Sequence, residues 1–259
     1  MDRLLDIMAR LRDPQGGCPW DREQTFATIA PYTIEEAYEV AEAIDHGDMA
    51  ALKDELGDLL FQVVFYAQMS REAGGFDFEA IAAGIADKMI RRHPHVFGDT
   101  DIPDAAAQTV AWEATKAAER AAKAQASVLD GVARTLPPMT RALKLQNRAA
   151  RVGFDWSDPA DVIGKVEEEL AEIGVEVAQS APHDRLEDEM GDVLFACVNL
   201  ARKLNIEPER ALKRANGKFE RRFRHIEAGL AAGGRKPEDA TLDEMEALWV
   251  AAKAQERGQ

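Results

Sequence analysis

The chain has 259 residues, 47 of them acidic and 32 basic, for a formal net charge of −15. That length suffices for one large domain or two small ones, and that charge argues against nucleic acid as a partner while leaving room for a nucleotide, which needs only a local basic cluster. Cys18 and Cys197 are too far apart to suggest a disulfide framework, the apolar runs 59–67 and 193–201 are too short to span a bilayer, and residues 1–12 are amphipathic and acidic rather than a signal peptide, so a reduced cytoplasm is the expected setting.

Helical signals dominate, and alternating β-branched runs are scarce. Ile34, Ala37, Tyr38, Ala41 and Ile44 form one stripe at helical spacing, and Gly47 ends that helix. Residues 52–70 are a second helix, apolar on nearly every side over 59–67 and therefore expected to be buried. Gly74-Gly75 breaks it, Asp77 is placed to cap a third helix over 78–92, and Pro94 stops that one. Residues 105–126, rich in Ala, Lys and Glu, read as an exposed connecting helix. The order then recurs: a helix over 162–179, a turn at 182–184, an internally apolar helix over 185–204, and a helix over 208–230 closed by Gly233-Gly234.

Matching landmarks keep a nearly constant offset. Glu39 to Glu172 is 133 residues, Asp58 to Asp192 is 134, Lys88 to Lys218 is 130 and Trp112 to Trp249 is 137. This indicates an internal duplication. The expected division is 1–122, a linker over 123–134, and 135–259. Each repeat is short for an independent core, so packing between like repeats of a dimer is expected.

The duplicated feature is acidic. Glu35-Glu36-Ala37-Tyr38-Glu39 precedes Glu55-Leu56-Gly57-Asp58, and Glu168-Glu169-Leu170-Ala171-Glu172 precedes Glu189-Met190-Gly191-Asp192. Acids three apart share a helix face. Two such helices packed together gather four carboxylates, which cannot share a half-buried site without cations. Hard oxygen donors at that density suit Mg²⁺, with Mn²⁺ as a substitute. The simpler alternative is that these acids cap helices and favour the dipole. It accounts for any single acid, but not for the full pattern twice.

A basic set accompanies it. Lys88, Arg91 and Arg92 match Lys218, Arg221 and Arg222, and a Lys and an Arg four apart can hold phosphate oxygens. Alone, this would read as a solvated face or as ion pairs; beside a cation site it reads as a polyphosphate clamp. Trp20 and Trp156 are expected in the core. Trp112 and Trp249, followed by Lys116 and Lys253, include a candidate for stacking on a base. His93-Pro94-His95 is expected to be a surface turn. No Gly-rich phosphate loop ending in Gly-Lys-Ser/Thr is present.

These residues resemble the MazG family of nucleoside triphosphate pyrophosphohydrolases in its two-domain form. Gly17-Cys18-Pro19-Trp20-Asp21, Gln24-Thr25 and residues 35–40 are similar to its N-terminal signature. Gly153-Phe154-Asp155-Trp156, 165–172, 189–192 and 216–223 are similar to its C-terminal one. The resemblance implies an all-α fold of two tandem four-helix-bundle-type repeats, homodimers, Mg²⁺ dependence, and cleavage of NTPs and dNTPs to NMP and pyrophosphate. It implies metal ligation by Glu169, Glu172, Glu189 and Asp192, and in the first repeat by Glu36, Glu39, Glu55 and Asp58. Lys218 and Arg222 would bind phosphates with Lys165 and Arg185 nearby, and Trp249 would lie against the nucleoside. Glu168 or Glu169 would be the general base.

The copies differ. Lys165 aligns with Tyr32 and Arg185 with Ala51, so the C-terminal copy offers a triphosphate more positive charge and is expected to be the main catalyst. A di-iron carboxylate bundle is disfavoured, because neither repeat has its Glu-x-x-His pattern. A helical module that binds NTP and Mg²⁺ without turnover is the non-enzymatic alternative.

Overall fold

A computed structural model describes residues 1–99, 102–104, 107–108, 111–112, 115 and 127–257. The expected connecting helix over 105–126 falls mostly outside them, as does Lys116. Among the described residues there are helices and no strands, and no helix is long and apolar enough to cross a membrane. The chain is all-α and divides into two compact units, Met1–Glu119 and Arg120–Gln259.

The first unit holds α1 (Asp2–Leu11), α2 (Pro19–Glu23), α3 (Phe26–His46), α4 (Met49–Glu72), α5 (Phe78–Arg92) and the single turn α6 (Pro94–Phe97). Helix α3 begins well before its apolar stripe. Its start is set by a reciprocal cap, in which Thr28 N–H donates to Thr25 Oγ1 at 3.3 Å and Thr25 N–H to Thr28 Oγ1 at 2.8 Å. Gly47, with φ +68°, ends α3, and Asp48 at once caps α4 by accepting from the Ala50 and Ala51 N–H groups. This tight connection lays α3 and α4 side by side in opposite directions, which brings 35–39 next to 55–58. Met8, Ile29, Val64, Phe65 and Met69 form the buried core between α1, α3 and α4. Arg12 clasps the far end of α4, donating to Glu72 in a fork and lying 5.4 Å over the Phe65 ring. Gly17 turns the chain there: a Cβ would come 2.4 Å from the Leu11 carbonyl oxygen, so no side chain fits.

The second unit holds α7 (Pro138–Ala150), α8 (Pro159–Ala178), α9 (His183–Lys203), α10 (Pro208–Ala232) and α11 (Leu242–Arg257). Asp158 caps α8 with Pro159 as its first residue. Helices α8 and α9 repeat the antiparallel pairing, α7 packs on α9 and α10, and α11 lies along α10. The expected turn at 182–184 is in fact the start of α9. Pro182 occupies the cap, where its missing N–H costs nothing, and helix begins at His183.

The copies differ in burial, and one expectation, that of Trp20 and Trp156 in the core, fails. Helix α4 buries Gln62, Val64, Phe65, Ala67 and Met69, but its counterpart α9 leaves Leu194, Phe195 and Cys197 exposed while burying Val193, Ala196, Val198 and Asn199. Its covers within the unit, chiefly α7 and α8, leave one side bare. Trp20 and Trp156 are surface residues, 49% and 38% exposed, rather than core. Each sits next to one other ring, Trp20 edge-on to Tyr32 and Trp156 beside Phe154, at the loop-proximal ends of their units.

Candidate metal and nucleotide site

The acids are mid-helix residues, not caps. Counting from the first residue of each helix, Glu36 and Glu169 are eleventh and Glu39 and Glu172 fourteenth in α3 and α8; Glu55 and Glu189 are seventh and Asp58 and Asp192 tenth in α4 and α9. The dipole acts within the first turn, so these positions gain little from it. Their matched depth is what places two acids from each helix opposite two from its neighbour.

Each helix pair gathers three of its four predicted ligands. Oxygens of Glu36, Glu39 and Glu55 lie within 4.8 Å of one another, as do those of Glu169, Glu189 and Asp192. The fourth acid stays within electrostatic reach: Asp58 repels Glu36 and Glu55, and Glu172 feels Glu169 and Glu189. The carboxyls respond by holding protons more tightly. Desolvation first, then the charge of Asp58, lifts Glu36, against the hydrogen bond from Gln62. Desolvation and Glu39 lift Glu55; desolvation and Glu169 lift Glu172. Carboxylates crowded so that their proton affinity rises are a donor set suited to a hard divalent cation, whose charge would remove the repulsion.

The second repeat has fixed counter-charges. Glu169 is 6% exposed, and Lys165 Nζ reaches it at 2.8 Å and Glu168 at 2.9 Å. These two acids push the Lys165 ammonium further up, securing its charge. Arg185 pairs with Glu176 and reaches Glu189 at 3.5 Å. Helix α10 holds its basic set without direct pairing to these acids. Among the described residues, no hydrogen bond or ion pair joins Lys218, Arg221 or Arg222 to the cluster. Arg222 pairs with Glu256 of α11 at 2.7 Å and lies 5.3 Å over the Trp249 ring, and Arg221 reaches Glu256 at 3.4 Å. Trp249, half-buried, also meets Phe219 at 5.5 Å. In the first repeat Lys88 and Arg92 are half-buried and Arg91 exposed near the end of α5. Of the two histidines expected in a turn, His93 caps a one-turn helix and His95 lies within it, with rings 5.7 Å apart, and His93 Nδ1 is 2.8 Å from the Met89 carbonyl oxygen.

Two partners escaped the sequence reading. Glu176, which holds Arg185, matches Ala43 just as Arg185 matches Ala51, so the pair is present together in one copy and absent together in the other. That joint difference was visible in the offsets. Glu256, which holds Arg222, lies near the chain end with no motif around it.

Twin antiparallel helix pairs, each with an acidic cluster at matched mid-helix positions, define an all-α tandem-repeat protein. Residues 24–97 and 158–227 each match the MazG nucleotide pyrophosphohydrolase domain, and the chain belongs to that family. It is 55% identical over 257 residues to the nucleoside triphosphate pyrophosphohydrolase of Escherichia coli (strain K12), covering 99% of this chain and 98% of the relative. Identity is 42% over 252 residues to the Thermotoga maritima nucleoside triphosphate pyrophosphohydrolase/pyrophosphatase MazG, covering 97% and 95%. It is 46% over 252 residues to the uncharacterized protein YabN of Bacillus subtilis, covering 97% of this chain and 51% of that one.

Proposed function

We propose that the chain hydrolyses nucleoside triphosphates, ribo or deoxy, to the monophosphate and pyrophosphate, and does so chiefly at the second repeat with Mg²⁺. The observation that carries this reading is the buried Glu169 converging with Glu189 and Asp192 beside two fixed cations, Lys165 and Arg185. Family membership and the names of the full-length relatives support it.

Glu169, Glu172, Glu189 and Asp192 would hold the cation. Bound there, Mg²⁺ supplies charge neutralisation to the phosphate oxygens and acidifies a bound water. Lys165 balances Glu168 and Glu169, and with a divalent cation held by the acids its ammonium would be free to meet phosphate. Arg185 is placed to do the same from the other helix. Glu168 is the more exposed of the two candidate bases, so it is the one that meets solvent water. Lys218 and Arg222 would bind phosphates and Trp249 the nucleoside, from α10 and α11. The bare apolar residues Leu170, Met190, Leu194 and Phe195 favour a homodimer that covers α8 and α9.

For the first repeat a second reading is favoured. It keeps all four acids but has Tyr32 and Ala51 where the second has Lys165 and Arg185, which suits cation binding without turnover. ³¹P NMR of the protein with Mg²⁺ and mixed NTPs and dNTPs tests the reading: NMP and pyrophosphate are expected. NDP and orthophosphate would mean a different bond is cut.

A further inference from the structure

Helix α10 carries more positive charge than a triphosphate at Lys218 and Arg222 requires. Arg210, Arg214, Lys218 and Arg221 line one hollow of about 640 Å³ on its surface. Positions 210, 214 and 218 follow one another by a helical turn, and the row from Arg210 to Arg221 spans about 16 Å at 1.5 Å per residue. All four side chains are exposed. Among the described residues, Arg221 reaches Glu256, while the side chains of Arg210, Arg214 and Lys218 have no ion-pair partner. The acid in the lining, Glu207, caps the helix, accepting from the N–H groups of Glu209 and Arg210, and keeps its charge beside the row. The row runs toward the positive end of a 25-residue helix, and its four cations outnumber the one acid that shares the hollow, Glu207.

In a chain of net charge −15, a hollow with four cations to one acid fits an anion from outside. The hollow also distinguishes the copies. At the offset of 130 that relates Lys88 to Lys218, the first repeat has Ala80 and Gly84 where the second has Arg210 and Arg214.

We propose that this hollow extends the phosphate site to nucleotides whose polyphosphate chain is longer than three, nucleoside 5′-tetraphosphates being the shortest. The proposal rests on the reading that Lys218 meets substrate phosphates. Arg214 and Arg210 continue from Lys218 over about 12 Å, room for more than one further phosphate, and guanidinium forks suit phosphate oxygens. Hydrolysis would add one water across the same α–β P–O–P bridge. The products are NMP and inorganic tripolyphosphate, with one proton passing to solvent near neutral pH.

The test compares kcat/KM for adenosine 5′-tetraphosphate and ATP in the full chain and in R210A/R214A. The wild type is expected to prefer the tetraphosphate, and the ratio to fall by at least about tenfold in the variant. A wild-type ratio of one or less, or a ratio unchanged by the substitutions, overturns the proposal. If neither nucleotide is hydrolysed, the proposed function fails separately, and titration calorimetry with inorganic tripolyphosphate decides the hollow. Weaker binding to R210A/R214A supports it, and equal binding overturns it.

Discussion

The two repeats put their acids at the same helix positions but steady the matching glutamates Glu36 and Glu169 by different means. Glu36 accepts from the neutral amide of Gln62, across on α4, at 3.2 Å. Glu169 takes the ammonium of Lys165 from its own helix at 2.8 Å. The partners do not coexist: Tyr32 stands at the Lys165 position and Ala196 at the Gln62 position. An amide can steady a carboxylate, but has no charge to release when a cation arrives. An ammonium can exchange its carboxylate for a phosphate. The comparison teaches that the helix pair itself supplies the acidic cluster, while the charges around it come from a few added side chains, Lys165, Arg185 and Glu176 foremost, which the proposed function assigns to handling a triphosphate.

The largest effect should come from removing one acid from each copy. Glu172→Ala is expected to lower kcat for NTP hydrolysis by roughly 10²–10³-fold, the scale of losing one preorganised electrostatic group. Glu39→Ala, at the equivalent place, should cost far less. The reverse order in steady-state assays would move the catalytic site to the first repeat.

Cation binding should show next, as stability. Glu36, Glu55 and Glu172 bind protons more tightly when folded than when unfolded. Without cation, stability therefore falls as pH rises through the ordinary carboxylate range and on through the raised folded values. A divalent cation should offset that loss over the same window and have little effect below it, where protons hold the site. At a hundredfold excess over Kd, one site adds about 2.7 kcal/mol. Thermal melts with Mg²⁺ and with EDTA, at pH 4 and pH 8, check this. An equal shift at both pH values would contradict it.

Much of this was legible in the sequence because it rests on local rules. The order of helices, the Gly47 and Gly74-Gly75 breaks and the Asp77 cap follow from turn and capping chemistry, and the acidic sets follow from spacing alone. What escaped depends on tertiary contacts. Helix α9 has the apolar composition of a buried helix, yet burial is decided by how many neighbours cover it, and Leu194 and Phe195 lie on its uncovered side. Trp20 and Trp156 look like core residues by type but sit in short loop-proximal segments. Arg222 was legible as a cation, whereas its engagement with Glu256 joins two helices whose approach no local pattern encodes.

A smaller effect should separate the roles of Glu176 and Arg185. Arg185 pairs with Glu176 while lying 3.5 Å from Glu189. Glu176→Gln removes the competing charge, so the guanidinium should settle on Glu189 and occupy a cluster oxygen. Cation affinity of the second repeat should fall by about tenfold, the scale for partners one step removed from a metal ligand. Titration calorimetry with Mn²⁺ reads this directly. Ala43→Glu, at the matching place in the first repeat, lacks an arginine to hold and should not mimic the effect.

The smallest effect lies at the clasps, where the repeats reverse their polarity. In the first unit the cation Arg12 comes from the loop side and the acid Glu72 from the end of α4. In the second, Asp155 comes from the loop and Arg202 and Lys203 from the end of α9. Cations at a helix C-terminus also answer its dipole, so the second arrangement is the more favourable. The carboxyls register this. Hydrogen bonds from Arg202, and then from Lys203, hold Asp155 down at about 2. Desolvation pushes Glu72 up, and the hydrogen bonds from Arg12 and Gln68 outweigh it only enough for a lowered value. A depressed folded pKa contributes stability above the unfolded pKa and loses it as pH falls through the folded one. Asp155→Asn should therefore cost about 1 kcal/mol at neutral pH, allowing for solvent screening, and the difference from wild type should fade between about pH 4 and pH 2. Glu72→Gln should cost less and fade over a narrower acidic window. If Glu72→Gln proved the more damaging in pH-resolved denaturant melts, the cation–π seat of Arg12 on Phe65 would outweigh the helix-end advantage.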